Sequence, residues 1–354
     1  MLDNQAHITK MDKFNMREIL QGFPEQCEKA VRMGGEIDIP SSLGREKVKK
    51  VLVCGLGGSA IGGDILRTLF SAAEITVMIN RNYSLPSFID EKTLIFAVSY
   101  SGNTEETISS FNQALKKGYF LFSITSGGEL QRLSEENGIP YLKVPSGMPP
   151  RCAVGYLSLP MIILLERILR VELFDYQELI DTLHNLRERY FLQRETKDNL
   201  AKLAAIKLKG KMPLIYGVDG LTDVVAHRLK TQFNENSKVL ASWNVFPEMN
   251  HNEVVPWSGE GEMGLEIFHP IFIRDRGEER RITHRIKVTQ ELIKRKGVEY
   301  SEIWTEGKSL ISRVFSSIYT GDWVSFYLAI LQGIDPTPIK FIDLLKGELK
   351  KLTP

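Results

Sequence analysis

The sequence predicts an α/β protein made of two parallel-sheet units flanked by helices. Three observations predict it. Short apolar runs alternate with stretches of helical spacing through most of the chain. Two runs pass directly into a turn of small residues and then a helix, KVLVCGLGGSAIGGD at 50–64 and LIFAVSYSGNTEET at 94–107. From Met212, PLIYGVDGLTDVVAHRL repeats the strand, glycine turn and helix of the first unit.

The elements follow in order. Residues 12–33 are helical with a break at Phe23-Pro24, and 35–48 lead to the first strand. Strands are predicted at 51–54, 74–80, 94–98, 120–125 and 141–144, and helices at 61–72, 105–117 and 129–137. This alternation implies a parallel sheet covered on both faces. PSGMPPR at 145–151 is a rigid turn that sets Arg151 at a defined point. Residues 156–169 form an apolar helix between the halves, and 176–209 a charged helical stretch whose charges read as a solvated face. The second unit has later strands at 238–241, 267–273 and 298–303, and helices at 280–296, 309–332 and 338–350. The division is therefore 1–152, a helical linker 153–210, and 211–354.

The glycine turn suits an anion. Gly55, Gly57 and Gly58 leave backbone N–H groups accessible at a helix N-terminus, and Ser59 adds a hydroxyl. A dinucleotide fingerprint does not fit: Ala60 stands at its third glycine, and 74–80 runs into Arg81 and Asn82 where an acidic residue belongs. A tight turn without ligand would explain one such loop. The second loop sets Ser99, Ser101 and Thr104 around another helix N-terminus, and capping explains only one of these hydroxyls. In the repeat, Gly217 falls on Gly55 and Gly220 on Gly58, but Asp219 replaces Gly57 and Leu221 replaces Ser59. A carboxylate there occupies the place of an anion, so the second copy keeps the fold without the phosphate site.

A chain of 354 residues, 43% hydrophobic, is long enough for two ordinary domains. A net charge of +1 makes no electrostatic case for nucleic acid or an acidic membrane surface. No apolar run is expected to reach the length of a membrane span, and the N-terminus shows no signal-peptide core. Cys27, Cys54 and Cys152 read as reduced cysteines of a cytoplasmic protein, and the histidines lack metal-ligand spacing.

Two segments of the second unit are unusually polar, FNENSK at 233–238 and PEMNHNE at 247–253. A carboxylate and a histidine converging from them would supply an acid and a base. Read alone, they are also ordinary helix-capping loops with Glu248 and Glu253 facing solvent.

GGSAIGGD with SYSGNTEET resembles the sugar isomerase (SIS) domain, which binds phosphosugars. FNENSK followed by EMNHNE resembles the bifunctional phosphoglucose/phosphomannose isomerases, over nearly the whole chain. The resemblance implies two SIS-type α/β sandwich subdomains. It implies phosphate binding by Gly58, Ser59, Ser99, Ser101 and Thr104. It implies Glu235 as the base, His251 in ring opening and Arg151 near C1 and C2 of the sugar. A C-terminal lysine belongs to the pattern; Lys346 in its LLK context is preferred to Lys340, and Thr337 is a candidate for the threonine before it. The implied reaction interconverts glucose 6-phosphate or mannose 6-phosphate with fructose 6-phosphate through a cis-enediol. It needs no metal or redox cofactor. The partners expected are the phosphosugar and a second copy in a homodimer whose histidine crosses over, with neither nucleic acid nor membrane. The rival reading is a non-catalytic sugar-phosphate-binding regulator, against which stands the lack of a helix-turn-helix extension. A glutamine-dependent relative would need an N-terminal domain for which residues before 51 leave no room.

Overall fold

The computed structural model describes all residues except 41, 42, 45, 262, 263, 350 and 352–354. Three short helices open the chain, α1 (Gln5–Met11), α2 (Met16–Gln21) and α3 (Phe23–Gly35). The single break expected at Phe23-Pro24 is joined by an earlier one. The Asp12 carboxylate accepts hydrogen bonds from the N–H groups of Met16 (2.8 Å) and Arg17 (3.0 Å), so it ends one helix and starts the next.

The first sheet contains β1 (Lys50–Cys54), β2 (Thr76–Asn80), β3 (Thr93–Val98), β4 (Phe120–Thr125) and β5 (Tyr141–Lys143). They are parallel, in the order β2-β1-β3-β4-β5. Every residue of β3 is buried, as expected of a central strand covered on both faces. The helices are α4 (Gly58–Leu69), α5 (Glu105–Lys117) and α6 (Gly128–Glu136). α4 starts three residues before the predicted 61, because the glycine turn itself supplies its first turn. Gly57, with φ 55°, makes the reversal that a side chain would resist.

Helices α7 (Val154–Leu169), α8 (Tyr176–Tyr190) and α9 (Leu200–Leu208) follow. The charged stretch 176–209 is thus two helices rather than one. Its apolar residues Leu179, Leu183, Leu186, Ala201, Ala205 and Leu208 are buried. The second sheet, β6 (Met212–Val218), β7 (Ser242–Phe246), β8 (Phe268–Arg274) and β9 (Ser301–Trp304), is also parallel, in the order β7-β6-β8-β9. Both sheets therefore place their second strand on one side of the first and their third on the other. α10 (Asp223–Gln232), α11 (Arg280–Arg295), α12 (Leu310–Leu331) and α13 (Lys340–Leu349) complete the chain.

Two expectations are corrected. The strand predicted at 238–241 lies at 242–246. Residues Phe233–Ser237 prolong α10 as a π-helical turn, and Lys238, at φ 57°, reverses the chain before the strand can begin. The expectation that no apolar run reaches membrane length also fails. α12 is long and apolar enough to cross a membrane by length and composition, but it is wholly buried inside the protein. It packs against α2, α4, α8, α9 and α10. Around it Trp323 stacks on Tyr327 with ring centroids 5.4 Å apart.

α13 is different: it buries none of its described residues, and Phe341 is 87% exposed. The helix end expected at residue 350 lies outside the described residues.

The closeness of α4 to α7 depends on Gly62. A Cβ there would lie 2.8 Å from the Leu157 carbonyl oxygen, inside contact distance with backbone that cannot rotate away. Gly62→Ala is expected to destabilise by about 1–3 kcal/mol. Gly35→Ala, whose Cβ meets nothing within 4 Å at the end of α3, should be neutral or stabilising by up to about 1 kcal/mol. Urea denaturation midpoints compare the two; equal midpoints would refute the close-packing argument.

Candidate active site

The first loop cluster forms where β1 and β3 end. Ser59 lies in the first turn of α4, Ser99 follows β3, and Thr104 is the N-cap of α5. Ser99 Oγ lies 2.8 Å from Thr104 Oγ1 and accepts the Gly102 N–H at 3.1 Å. Ser59 Oγ accepts the Tyr100 N–H at 3.4 Å, which joins the two loops. Ser101 is exposed, with its Oγ accepting the Asn103 N–H at 3.3 Å. The predicted hydroxyls are thus gathered beside two helix N-termini, whose free N–H groups favour an anion. Ser99 is fully buried, so its hydroxyl also shapes the loop.

Gly58 connects this cluster to the rest of the site. A Cβ on Gly58 would lie 3.0 Å from both Arg151 Cα and the Pro150 carbonyl oxygen. The Pro150–Cys152 turn is therefore pressed against the phosphate-type loop, and the rigid PPR segment does fix Arg151.

Arg151 is 3% exposed, and its guanidinium is spent almost entirely on holding other elements. Nε donates to Asn236 Oδ1 at 2.6 Å. Nη2 donates to the carbonyl oxygens of Pro336 and Thr337, both at 2.9 Å. Nη1 faces Glu235 Oε2 at 3.3 Å. A planar fork of five donors can make all four of these bonds to two distant segments at once, more than the three donors of a lysine allow. Glu235 keeps 24% of its side chain exposed and, among the described residues, Oε1 accepts no hydrogen bond. A carboxylate anchored through one oxygen and open through the other can take up a proton from a ligand.

The asparagines beside Glu235 do not orient it. Asn234 donates to the Val239 carbonyl at 2.8 Å, and Asn236 joins Arg151 to Ser325 Oγ at 2.9 Å. Beneath lies a buried pair that hydropathy patterning passes over: Arg228 Nη2 donates to Asp322 Oδ2 at 2.7 Å and to the Arg151 carbonyl at 2.9 Å. Burial pushes the Asp322 carboxyl above its ordinary range against the pull of Arg228. The available signal was the single acidic residue inside the apolar run of α12.

His251 is not brought to Glu235 within one chain. Glu235 precedes β7 and His251 follows it in the Glu248–His251 turn. Between its first and last residues β7 spans about 13 Å, at about 3.3 Å per residue, and among the described residues no hydrogen bond or ion pair joins the two side chains. His251 is exposed and, among the described residues, its ring makes no hydrogen bond. Its loop is nonetheless clasped: Glu253 accepts from Tyr216 Oη at 2.8 Å and from Asn244 Nδ2 at 2.6 Å. Both Glu253 oxygens are so engaged that it serves the loop. Lys340 and Lys346 are both exposed on α13, and neither is brought to Arg151 or Glu235. Thr337 Oγ1 is buried without a hydrogen-bond partner next to the carbonyl that Arg151 holds.

Comparison with known proteins bears on the family and the fold. Residues 197–349 match the bacterial phospho-glucose isomerase C-terminal SIS domain, and residues 46–138 match the SIS domain. A bifunctional phosphoglucose/phosphomannose isomerase of Caldicellulosiruptor bescii is 42% identical over 95% of this chain and 99% of its own. One of Aquifex aeolicus is 35% identical over 86% of this chain and 91% of its own. In fold, the chain is similar to a glucose-6-phosphate isomerase like protein from Thermus thermophilus, with a TM-score of 0.61, 16% identity, and 97% and 98% of the two chains covered.

The Arg228–Asp322 pair yields a prediction. Asp322→Ala leaves a buried guanidinium unpaired under Arg151 and is expected to cost about 3–5 kcal/mol. Urea unfolding measures it; a loss below about 1 kcal/mol, the range of exposed ion pairs, would show that the pair does not support the site.

Proposed function

The chain belongs to the bifunctional phosphoglucose/phosphomannose isomerase family, and on that premise we propose that it interconverts glucose 6-phosphate and mannose 6-phosphate with fructose 6-phosphate. The observation that carries this reading is the contact of Gly58 with the Arg151 turn, which sets an anion-binding helix start beside a buried arginine and a half-free carboxylate. A sugar phosphate has this layout, with an anionic group at C6 and acidic C–H bonds at C1 and C2.

In the proposed mechanism the phosphate lies against the start of α4, with Gly58, Ser59, Ser99, Ser101 and Thr104 as its donors. Glu235 removes the proton from C2 of the open-chain aldose, and the C1–C2 bond becomes that of a cis-enediol. A proton passes from the C2 hydroxyl to O1, and Glu235 then returns its proton to C1, which leaves the ketose carbonyl at C2. Arg151, permanently charged, offsets the developing charge on the enediolate oxygens. Glucose and mannose 6-phosphates differ at C2, so rotation about C2–C3 in the enediol lets one base serve both. A regulator would need no half-free carboxylate against an arginine, which disfavours the non-catalytic reading.

Ring opening is assigned to His251 of a second copy in a homodimer, because its position beyond β7 removes it from the Glu235 of its own chain. Trp243 of β7, stacked on His227, and Val255, which follows the His251 loop, expose apolar surface (37% and 65%). Lys346 is placed with His251 in this proposal, since α13 also needs a surface to cover it. Three buried, unpaired cysteines accord with a cytoplasmic location.

Two measurements check this reading. Glu235→Gln keeps the side chain's size but cannot take a proton; kcat with either aldose phosphate should fall about 10²–10⁴-fold with KM little changed. Loss of C2 deuterium from labelled aldose should fall with it. Near-normal exchange in Glu235→Gln would remove Glu235 as the base. Mixing Glu235→Gln and His251→Ala chains should restore part of the activity through hybrid dimers. Verified heterodimers without activity would show that each site is built from one chain.

A further inference from the structure

Lys238 ends the Phe233–Ser237 turn with φ 57°, a backbone region that favours glycine or asparagine over a residue with a long side chain. That conformation folds the side chain back over its own turn. Nζ donates to the Glu235 carbonyl oxygen at 2.6 Å and to the Pro336 carbonyl oxygen at 3.0 Å, with the Asn236 carbonyl oxygen 3.4 Å away. The Pro336 oxygen also accepts from Arg151 Nη2. Two cations from distant parts of the chain therefore share one carbonyl oxygen, using both of its lone pairs. The residue whose backbone Lys238 grips is Glu235, the carboxylate that Arg151 faces.

We propose that Lys238 is the positioning residue of the Glu235–Arg151 pair: its ammonium ties the Glu235 backbone to the Pro336 turn and so holds the base in line with the arginine. The proposal rests on the isomerase reading above. Among the described residues no other lysine donates to the Glu235 or Pro336 carbonyl, and Lys340 and Lys346 lie on the exposed α13.

The charges facing Lys238 are Arg151 from the Pro150–Cys152 turn, Asp335 from the turn before α13, and Glu235 from its own turn. Lys238 is exposed as a residue, but desolvation of its ammonium against the turn, followed by the Arg151 charge, lowers it to about 8, while Asp335 and Glu235 oppose the shift. A folded-state value below that of the free side chain means that the folded enzyme loses this proton first as pH rises. Above about 8 the ammonium is neutral and its hold on the two carbonyls weakens, whereas Arg151 stays charged. Turnover is thus expected to decline as pH rises through that value.

The experiment measures kcat and KM for glucose 6-phosphate on both sides of pH 8 with wild type, Lys238→Met and Lys238→Arg, each checked for folding by circular dichroism. Lys238→Met should lower kcat about 10²-fold, the effect of a small misplacement of a reacting group, with KM little changed. Lys238→Arg, which cannot lose its charge in this range, should recover much of kcat and move the alkaline decline upward. Wild-type kcat and pH profile in Lys238→Met would overturn the proposal. Should Lys238→Met fail to fold, a Lys238→Arg enzyme with the wild-type alkaline decline would overturn it instead. A wild-type chain that turns over neither glucose nor mannose 6-phosphate would sink the isomerase reading itself, separately from the role of Lys238.

Discussion

The buried guanidinium of Arg151 is the interaction on which the rest of the site depends. It reaches Asn236 and Glu235 in the turn after α10, and the backbone of Pro336 and Thr337 beyond α12. Burying a charge is costly unless hydrogen bonds replace its water, and here the replacements come from two distant parts of the chain, 235–236 and 336–337. The arginine therefore orients itself and also fixes where the two halves of the molecule meet. The Arg228–Asp322 pair beneath it has a second role of the same kind, because Arg228 also holds the Arg151 carbonyl. Removing either charge would strand its partner in the core.

The two sheets share a strand order, yet their first turns have diverged. After β1 the chain reverses through Gly57 and enters α4 with no acidic side chain in its first turn. After β6 it enters α10 with Asp223, whose carboxylate meets Arg67 of α4 at 3.0 Å. The helix start that could accept an anion in the first unit is thus supplied with a fixed carboxylate in the second, and that carboxylate ties α10 to α4. Divergence of a repeat here separates two tasks. One half keeps a helix start with no carboxylate in its first turn, and the other contributes the turn that carries Glu235.

The single chain leaves two features unfinished. His251 stands beyond the far end of β7 on a loop that Glu253 fastens to Tyr216 and Asn244. α13 starts close to the Pro336–Thr337 segment gripped by Arg151 but buries none of its described residues, leaving Phe341, Leu344 and Leu345 largely exposed. Apolar surface of that kind on a helix is normally covered. A homodimer, as proposed, would answer both needs.

The sequence by itself determined the parallel α/β class, the repeat and the two hydroxyl-bearing turns. These rest on neighbours a few residues apart, where side-chain periodicity and glycine conformation act directly. It also singled out Arg151, Glu235 and His251 as candidates, through the composition of their segments and a family resemblance. Tertiary structure alone decided how they are arranged. Arg151 meets Asn236 across 85 positions and Pro336 across 185, separations at which local patterning carries no signal. The π-helical turn and the reversed backbone of Lys238 were equally hidden: FNENSK reads locally as a loop, and its shape is set by hydrogen bonds to α12 and to the Pro336 turn. Register and capping are local properties of the chain, whereas the partners of a buried charge are chosen by whatever packing brings within about 3 Å.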